Sequence, residues 1–243
     1  MDRRALIVGA PYNDLPGVRQ DIVNYTNFLL SPLGGSWQKE EISVLESPTH
    51  QQLSAEVKSL QRADYSFVVF SGHGYHPRGA PSARILLRHA VEIDSDDLRK
   101  GARKHTLILD CCRKLETESV MDSVAKRALR EQRELNPQDC RKFFDIELSK
   151  CGDGLVVLHA CGLDELASET ESQGGYYSRA LTSAAREWES QSPVHVRGQH
   201  DTLSVVHAHD RATKRVLVQS GDRQHPEREQ PRTPPHFPFA IIA

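Results

Sequence analysis

The chain is short of every feature that would send it to a membrane or to nucleic acid. None of its 243 residues fall in an apolar run near the roughly 20 needed to span a bilayer. The opening MDRRALIVGAPYND has too brief an apolar stretch for a secretory signal and then turns polar. Charge of one sign is also missing: 31 Lys and Arg against 33 Asp and Glu leave a formal −2, so no global field recruits nucleic acid or an anionic membrane. Cysteine is sparse and unpaired in pattern. The five at 111, 112, 140, 151 and 161 form neither an even disulfide framework nor a CxxC metal site, and read as reduced thiols of a cytoplasmic protein. A nucleotide loop is absent too, since Gly72-His73-Gly74 lacks the third glycine of a dinucleotide fingerprint.

What the chain does have is a series of short, continuous apolar runs. Arg4-Ala5-Leu6-Ile7-Val8-Gly9, the Tyr65–Phe70 run, Thr106-Leu107-Ile108-Leu109 and the Leu155–Ala160 run look like strands buried on both faces. A further strand is expected over 41–45, and a hairpin over 84–93. Helical spacing marks 18–30, a segment capped by Thr49, and 177–188, with a helix start over 94–100. Strands alternating with helices predict an α/β fold with a mainly parallel sheet covered on both faces, and binding groups along the strand C-termini. The stretch 113–153, rich in Arg, Lys and Glu, is expected to be a polar helix followed by a mobile, protease-accessible loop. Thr202–Ala208 is expected to be a strand, on which His207 and His209 would alternate with His200 nearby. That spacing offers two metal ligands, but without a convincing third and fourth a solvated strand face is the favoured reading.

Two loops carry chemistry because each follows an apolar strand directly: Ser71-Gly72-His73-Gly74 and Asp110-Cys111-Cys112. If their strands are parallel neighbours about 4.8 Å apart, a base and a thiol face each other across one sheet edge. Glycines beside His73 allow a backbone N–H to be aimed at a developing oxyanion. Side chains alternate along a strand, so Asp110 and Cys112 share a side and Cys111 reads as a small core hydrophobe. The bland alternative is a satisfied core histidine beside structural cysteines.

The same residues resemble the caspase/metacaspase family of cysteine peptidases, in particular its bacterial caspase-like members. The likeness covers most of the chain. Leu15–Asp21 (LPGVRQD) is similar to the metacaspase L-x-G-C-x-N-D segment, Asp64–Tyr75 (DYSFVVFSGHGY) to the histidine loop, and Leu107–Cys112 (LILDCC) to the D-S-C nucleophile turn. Val157–Glu169 with Gly174-Gly175-Tyr176-Tyr177-Ser178 resembles the small-subunit strand and helix, and Arg232–Phe239 the T-P-x…F-P ending. Two departures stand out: Cys111 replaces the serine, and Arg113-Lys114-Leu115 replaces H-S-G.

The resemblance implies a caspase-like sandwich of about six strands in one domain over 1–243. It has a large-subunit-like part (1–112), a processable linker (113–153) and a small-subunit-like part (154–243). It implies an endopeptidase in which the Cys112 thiolate attacks, His73 protonates the leaving amine, and the amides of Gly74 and Cys112 hold the oxyanion. Asp21 and Asp110 would line a pocket selecting Arg, then Lys, before the cleaved bond, because paired carboxylates match a guanidinium. Partners would be protein or peptide substrates and an upstream activating peptidase, with cleavage inside 113–150 regulating a zymogen in a stress, cell-death or defence response. No cofactor is required. Asp94, Asp96, Asp97 and Asp122 resemble part of a metacaspase calcium cluster, although an acidic helix start accounts for the first three. The competing readings are a catalytically silent caspase-like adaptor and a cysteine-dependent small-molecule hydrolase.

Overall fold

The structure, a computed structural model, describes residues 1–12, 14–113, 134–193 and 199–243. In chain order the elements are β1 (Arg3–Gly9), α1 (Val18–Leu30), β2 (Ile42–Glu46), α2 (His50–Leu60), β3 (Tyr65–Ser71), β4 (Gly74–Tyr75), β5 (Arg84–Arg88) and β6 (Val91–Asp94). A 3-10 turn, Ser95–Arg99, leads into β7 (Lys104–Asp110). Beyond the undescribed stretch come α3 (Pro137–Lys150), β8 (Gly154–His159), β9 (Glu169–Thr170), β10 (Gly174–Gly175), α4 (Tyr176–Gln191), β11 (Asp201–Ser204), α5 (Val205–Ser220), β12 (Glu227–Glu229) and β13 (Pro238–Ile242).

Six strands form the central sheet in the order β12-β8-β7-β3-β1-β2, all parallel except β12. The apolar runs earn this place by alternation. Ile7, Val69, Ile108 and Leu158 lie in register on one face, against Tyr25, Phe28, Phe144, Tyr177 and Leu181 of the helices. Leu6, Val68, Leu107 and Val157 face the other way, where Leu53, Val57 and Leu60 of α2 and the β5–β6 hairpin cover them. A strand clad on both faces needs apolar residues at every position, which is why these segments read as unbroken runs. Thr49 caps α2 as its sequence suggests, its hydroxyl accepting from the Gln52 N–H at 3.1 Å.

Two expectations are corrected. The second half of 113–153 is not a loop: 137–150 is a helix packed into the core. Asn136 Oδ1 accepts from the N–H groups of Gln138 (2.9 Å) and Asp139 (3.1 Å), Pro137 fits the first turn, and Cys140, Phe144 and Leu148 are buried at four-residue spacing. Its sparse apolar stripe was masked by the charged residues around it. The helix is also pinned by Arg3, which is fully buried at the start of β1. The Arg3 guanidinium donates to Gly35 O at 3.2 Å, faces Glu41 and Asp145, and lies over Trp37 (4.6 Å) and Phe144 (5.1 Å). Burial lowers its pKa to about 10, and the carboxylates of Asp145 and Glu41 keep it charged. The first half of the stretch, 114–133, lies outside the described residues.

Nor is 202–208 all strand. Only Asp201–Ser204 is extended. Ser204 then caps α5, its hydroxyl accepting from the His207 N–H, and Val205, Ala208, His209, Ala212 and Val216 form the buried face. The β-branched run imitated a strand, and the cap decided otherwise. His209 is buried with Nδ1 2.6 Å from the Tyr177 hydroxyl, while His200 stacks on Phe143 and meets Glu147 at 2.8 Å. The three histidines therefore do not converge.

Candidate active site

Parallel register puts the two chemistry-bearing loops side by side. Ser71 pairs with Asp110 at the last rung of β3 and β7, so His73 and Cys112 each lie two residues beyond the same rung. The Gly72 N–H donates to Asp110 O at 3.2 Å and continues the alignment past the strands. Gly74 then lies flat on the cysteine turn. A Cβ there would stand 2.7 Å from Cys111 Sγ and 3.0 Å from Cys112 O, so only glycine permits the approach. Cys111 is buried in the α2-side core, as alternation requires, and burial pushes its thiol far up.

Cys112 is partly exposed in the cleft. Its sulfur accepts from the Ala167 N–H at 3.3 Å and lies 3.7 Å from Ala167 O. Burial raises the thiol pKa, the Ala167 N–H opposes this, and the nearby carboxylates of Asp110 and Glu169 raise it further. His73 is partly exposed, with Nε2 3.1 Å from Asp14 Oδ1 and its ring in a T-shaped contact with Tyr12 at 4.8 Å.

Behind the thiol, Asp21 from α1 and Asp110 from β7 line the same cleft, both almost wholly buried. Asp21 accepts from the Ser71 hydroxyl (2.7 Å) and from the Gly175 N–H (2.9 Å). Asp110 Oδ2 accepts from the Ser178 N–H at 3.1 Å and from its hydroxyl. Gly174 makes this possible: its φ is +82°, and a Cβ would fall 2.0 Å from Asp21 Oδ1. Burial raises the Asp110 carboxyl to about 6. Burial, and then the charge of Asp110, raises Asp21 well above the carboxylate range.

A third acid, Glu169, completes the cleft and was missed by sequence reasoning, although it ends the ACGLDELASE segment singled out there. Glu169 Oε1 accepts from the Gly17 N–H at 3.0 Å, and burial lifts its carboxyl to about 7. Only the fold shows that this loop returns to the acid pair. Gln224 was missed as well: it bridges both ends of the same loop, donating to Ala160 O (2.8 Å) and accepting from the Ser168 N–H (3.0 Å).

The calcium candidates do not gather. Asp94 accepts from the Ser82 hydroxyl and the Asp96 N–H, Asp96 faces Arg99, and Asp97 holds Lys100 at 2.6 Å. Asp122 lies outside the described residues, and among those described no group of three or more His, Cys, Asp or Glu is disposed to hold a metal. A cleft at the opposite, N-terminal edge of the sheet, lined by Met1, Asp64, Arg103, Lys104, Asp145 and Asp153, contains none of the site residues.

Comparison with known proteins bears on the family and the fold. No curated protein sequence matches the chain. Among solved structures, caspase-1 from Spodoptera frugiperda superimposes with a TM-score of 0.59 at 11% identity, covering 94% of this chain and 86% of that one, a likeness of fold. The caspase domain family matches residues 2–237. The chain belongs to the caspase domain family and is a cysteine peptidase.

Proposed function

We propose that the chain is an endopeptidase cutting after Arg, and secondarily Lys, with Cys112 as nucleophile and His73 as its acid and base. The observation that carries this is the convergence of the His73 loop and Cys112 on a cleft floored by buried carboxylates. Cys112 gives its proton to His73 and its sulfur attacks the scissile carbonyl. The amides of Gly74 and Cys112 hold the oxyanion, and the imidazolium returns the proton to the leaving amine. Water, deprotonated by His73, then hydrolyses the thioester. No step calls on a cofactor.

Asp21, Asp110 and Glu169 make the specificity pocket. Three acids forced together and desolvated hold protons they would release to water, and a guanidinium is the group that favours their ionised forms. A neutral or acidic side chain gains nothing there. Neither nucleic acid nor a membrane enters this reading, and five free thiols suit a reducing, cytoplasmic setting.

The intact chain is a latent form activated by cutting between 114 and 136, by itself or by another peptidase. Lys114, Lys126, Arg127, Arg130 and Arg133 supply basic sites there. Arg141, in contrast, is tied to Glu41 and to Ser36 O within a packed helix, and a helical segment must unfold to be cleaved. Ala167 resting on the Cys112 sulfur supports latency, and is also the observation that favours a silent adaptor. A role in stress, cell death or defence follows from the family resemblance alone.

Cleavage of a peptide library read by mass spectrometry tests the proposal. Cuts after Arg and Lys that vanish with Cys112→Ala are expected. Cuts after other residues would overturn the pocket assignment, and no cuts at all, with or without limited proteolysis of the chain, would favour the adaptor.

A further inference from the structure

The loop between β1 and α1 places a carboxylate beside His73. Its backbone is fixed at several points: the Ala10 N–H donates to Ser71 O (2.9 Å), the Leu15 N–H to Tyr12 O (3.0 Å), and the Gly17 N–H to Glu169. Between these anchors Asp14 sets Oδ1 3.1 Å from His73 Nε2, and Tyr12 closes the ring's edge. An imidazole whose Nε2–H donates to a carboxylate is fixed in the tautomer that leaves Nδ1 free to accept a proton.

We infer that Asp14 is a positioning residue that orients His73 and stabilises the imidazolium formed when the ring takes the Cys112 proton. This rests on the His73–Cys112 pair proposed above. The proton moves from Cys112 Sγ to His73 Nδ1 while Nε2–H continues to donate to Asp14, as to the orienting acid of hydrolase triads. Other titratable groups face the same space: Tyr12 from the same loop, Cys112 from the end of β7, and Glu169 from the loop after β8, which feels the charge of Asp14. On the hairpin side the Leu86 N–H donates to His73 O.

The sign of one effect separates this role from its rivals. A carboxylate that repelled the thiolate directly would, on removal, make Cys112 more reactive. One that acts through His73 would, on removal, make it less reactive. The experiment follows alkylation of Cys112 by iodoacetamide, a neutral probe that does not use the acid pocket, from about pH 5 to 11. Asp14→Asn is expected to slow the reaction about threefold at neutral pH, the weight of a half-exposed ion pair, and Asp14→Ala somewhat more. Both should rejoin the parent rate at high pH, where the thiol ionises unaided, and Asp14→Glu should recover part of the loss. Glu169→Gln should speed the reaction, since that carboxylate raises the Cys112 thiol.

An unchanged or faster neutral rate in Asp14→Asn would overturn the inference, as would slowing of equal size at every pH, the mark of a merely structural change. His73→Ala is the companion variant. If it too leaves neutral alkylation unchanged, the failure lies with the His73–Cys112 pair; if it alone slows the reaction, the failure lies with Asp14.

Discussion

Asp110 is almost wholly buried, and burial holds its carboxyl at about 6 against an ordinary 3.8. The unfolded chain releases that proton near pH 4 while the folded chain keeps it until about 6. Across this window rising pH therefore favours unfolding, by about 1.4 kcal/mol per pH unit, and above it the loss is constant. The two values differ by roughly two units, so at pH 7.5 the ionised Asp110 costs about 3 kcal/mol. Asp110→Asn removes that cost and also relieves Asp21, whose carboxyl is raised in part by the charge of Asp110. Asparagine can still accept from Ser178 through its carbonyl, and weakening these bonds subtracts about 1 kcal/mol. The net expectation at pH 7.5 is about 2 kcal/mol of added stability, or roughly 4–8 °C in a chain of this size, turning into a loss of about 1 kcal/mol near pH 4, where the ionisation cost has gone and only the weakened bonds remain. Urea denaturation in a Cys112→Ala background, which removes self-cleavage, measures this at both pH values. An Asp110→Asn protein no more stable at pH 7.5 than its parent, or with the same difference at both pH values, would refute the reasoning. The same substitution should abolish cutting after Arg, so the site would be less stable for the sake of its specificity.

The acid pocket makes a second forecast. Because a bound guanidinium favours ionised carboxylates, KM for Arg peptides should fall at least about tenfold as pH rises from roughly 5.5 to 8, with Asp110 and Glu169 releasing their protons near 6 and 7. Glu169→Gln should flatten the upper part of that change; steady-state kinetics that showed a pH-independent KM would contradict it. Cys111→Ala should leave a peptidase that still cuts after Arg, whereas Cys112→Ala should lose at least about a thousandfold; equal losses in the two would contradict the alternation that separates them. Phe144→Ala should cost about 3–5 kcal/mol by urea denaturation, because that ring packs against Trp37 under the buried Arg3; a loss under about 1 kcal/mol would mean that α3 is not part of the core.

The sheet was legible because a strand buried on both faces writes itself as an unbroken apolar run, as in YSFVVF and TLILD. The approach of Asp21 to Asp110 was legible only through resemblance, since nothing local to LPGVRQD or LILDCC reveals that α1 meets the end of β7. What escaped was decided by capping and by long-range return. Asn136 and Ser204 start helices in segments whose bulk composition suggested a loop and a strand. Glu169 joins the pocket because a loop doubles back to Gly17, 152 positions away. Arg3 was unreadable as a core residue because its partners, Gly35, Glu41 and Asp145, are scattered along the chain.

Which bond the protein cuts, and which atom cuts it, is the central claim. The decisive measurement is mass-spectrometric cleavage profiling of a mixed peptide library by the processed chain, run beside its Cys112→Ala and His73→Ala variants. Cuts almost wholly after Arg, with fewer after Lys and none from either variant, are the predicted result. Cuts after acidic or apolar residues, or cutting that survives the loss of Cys112, would contradict it.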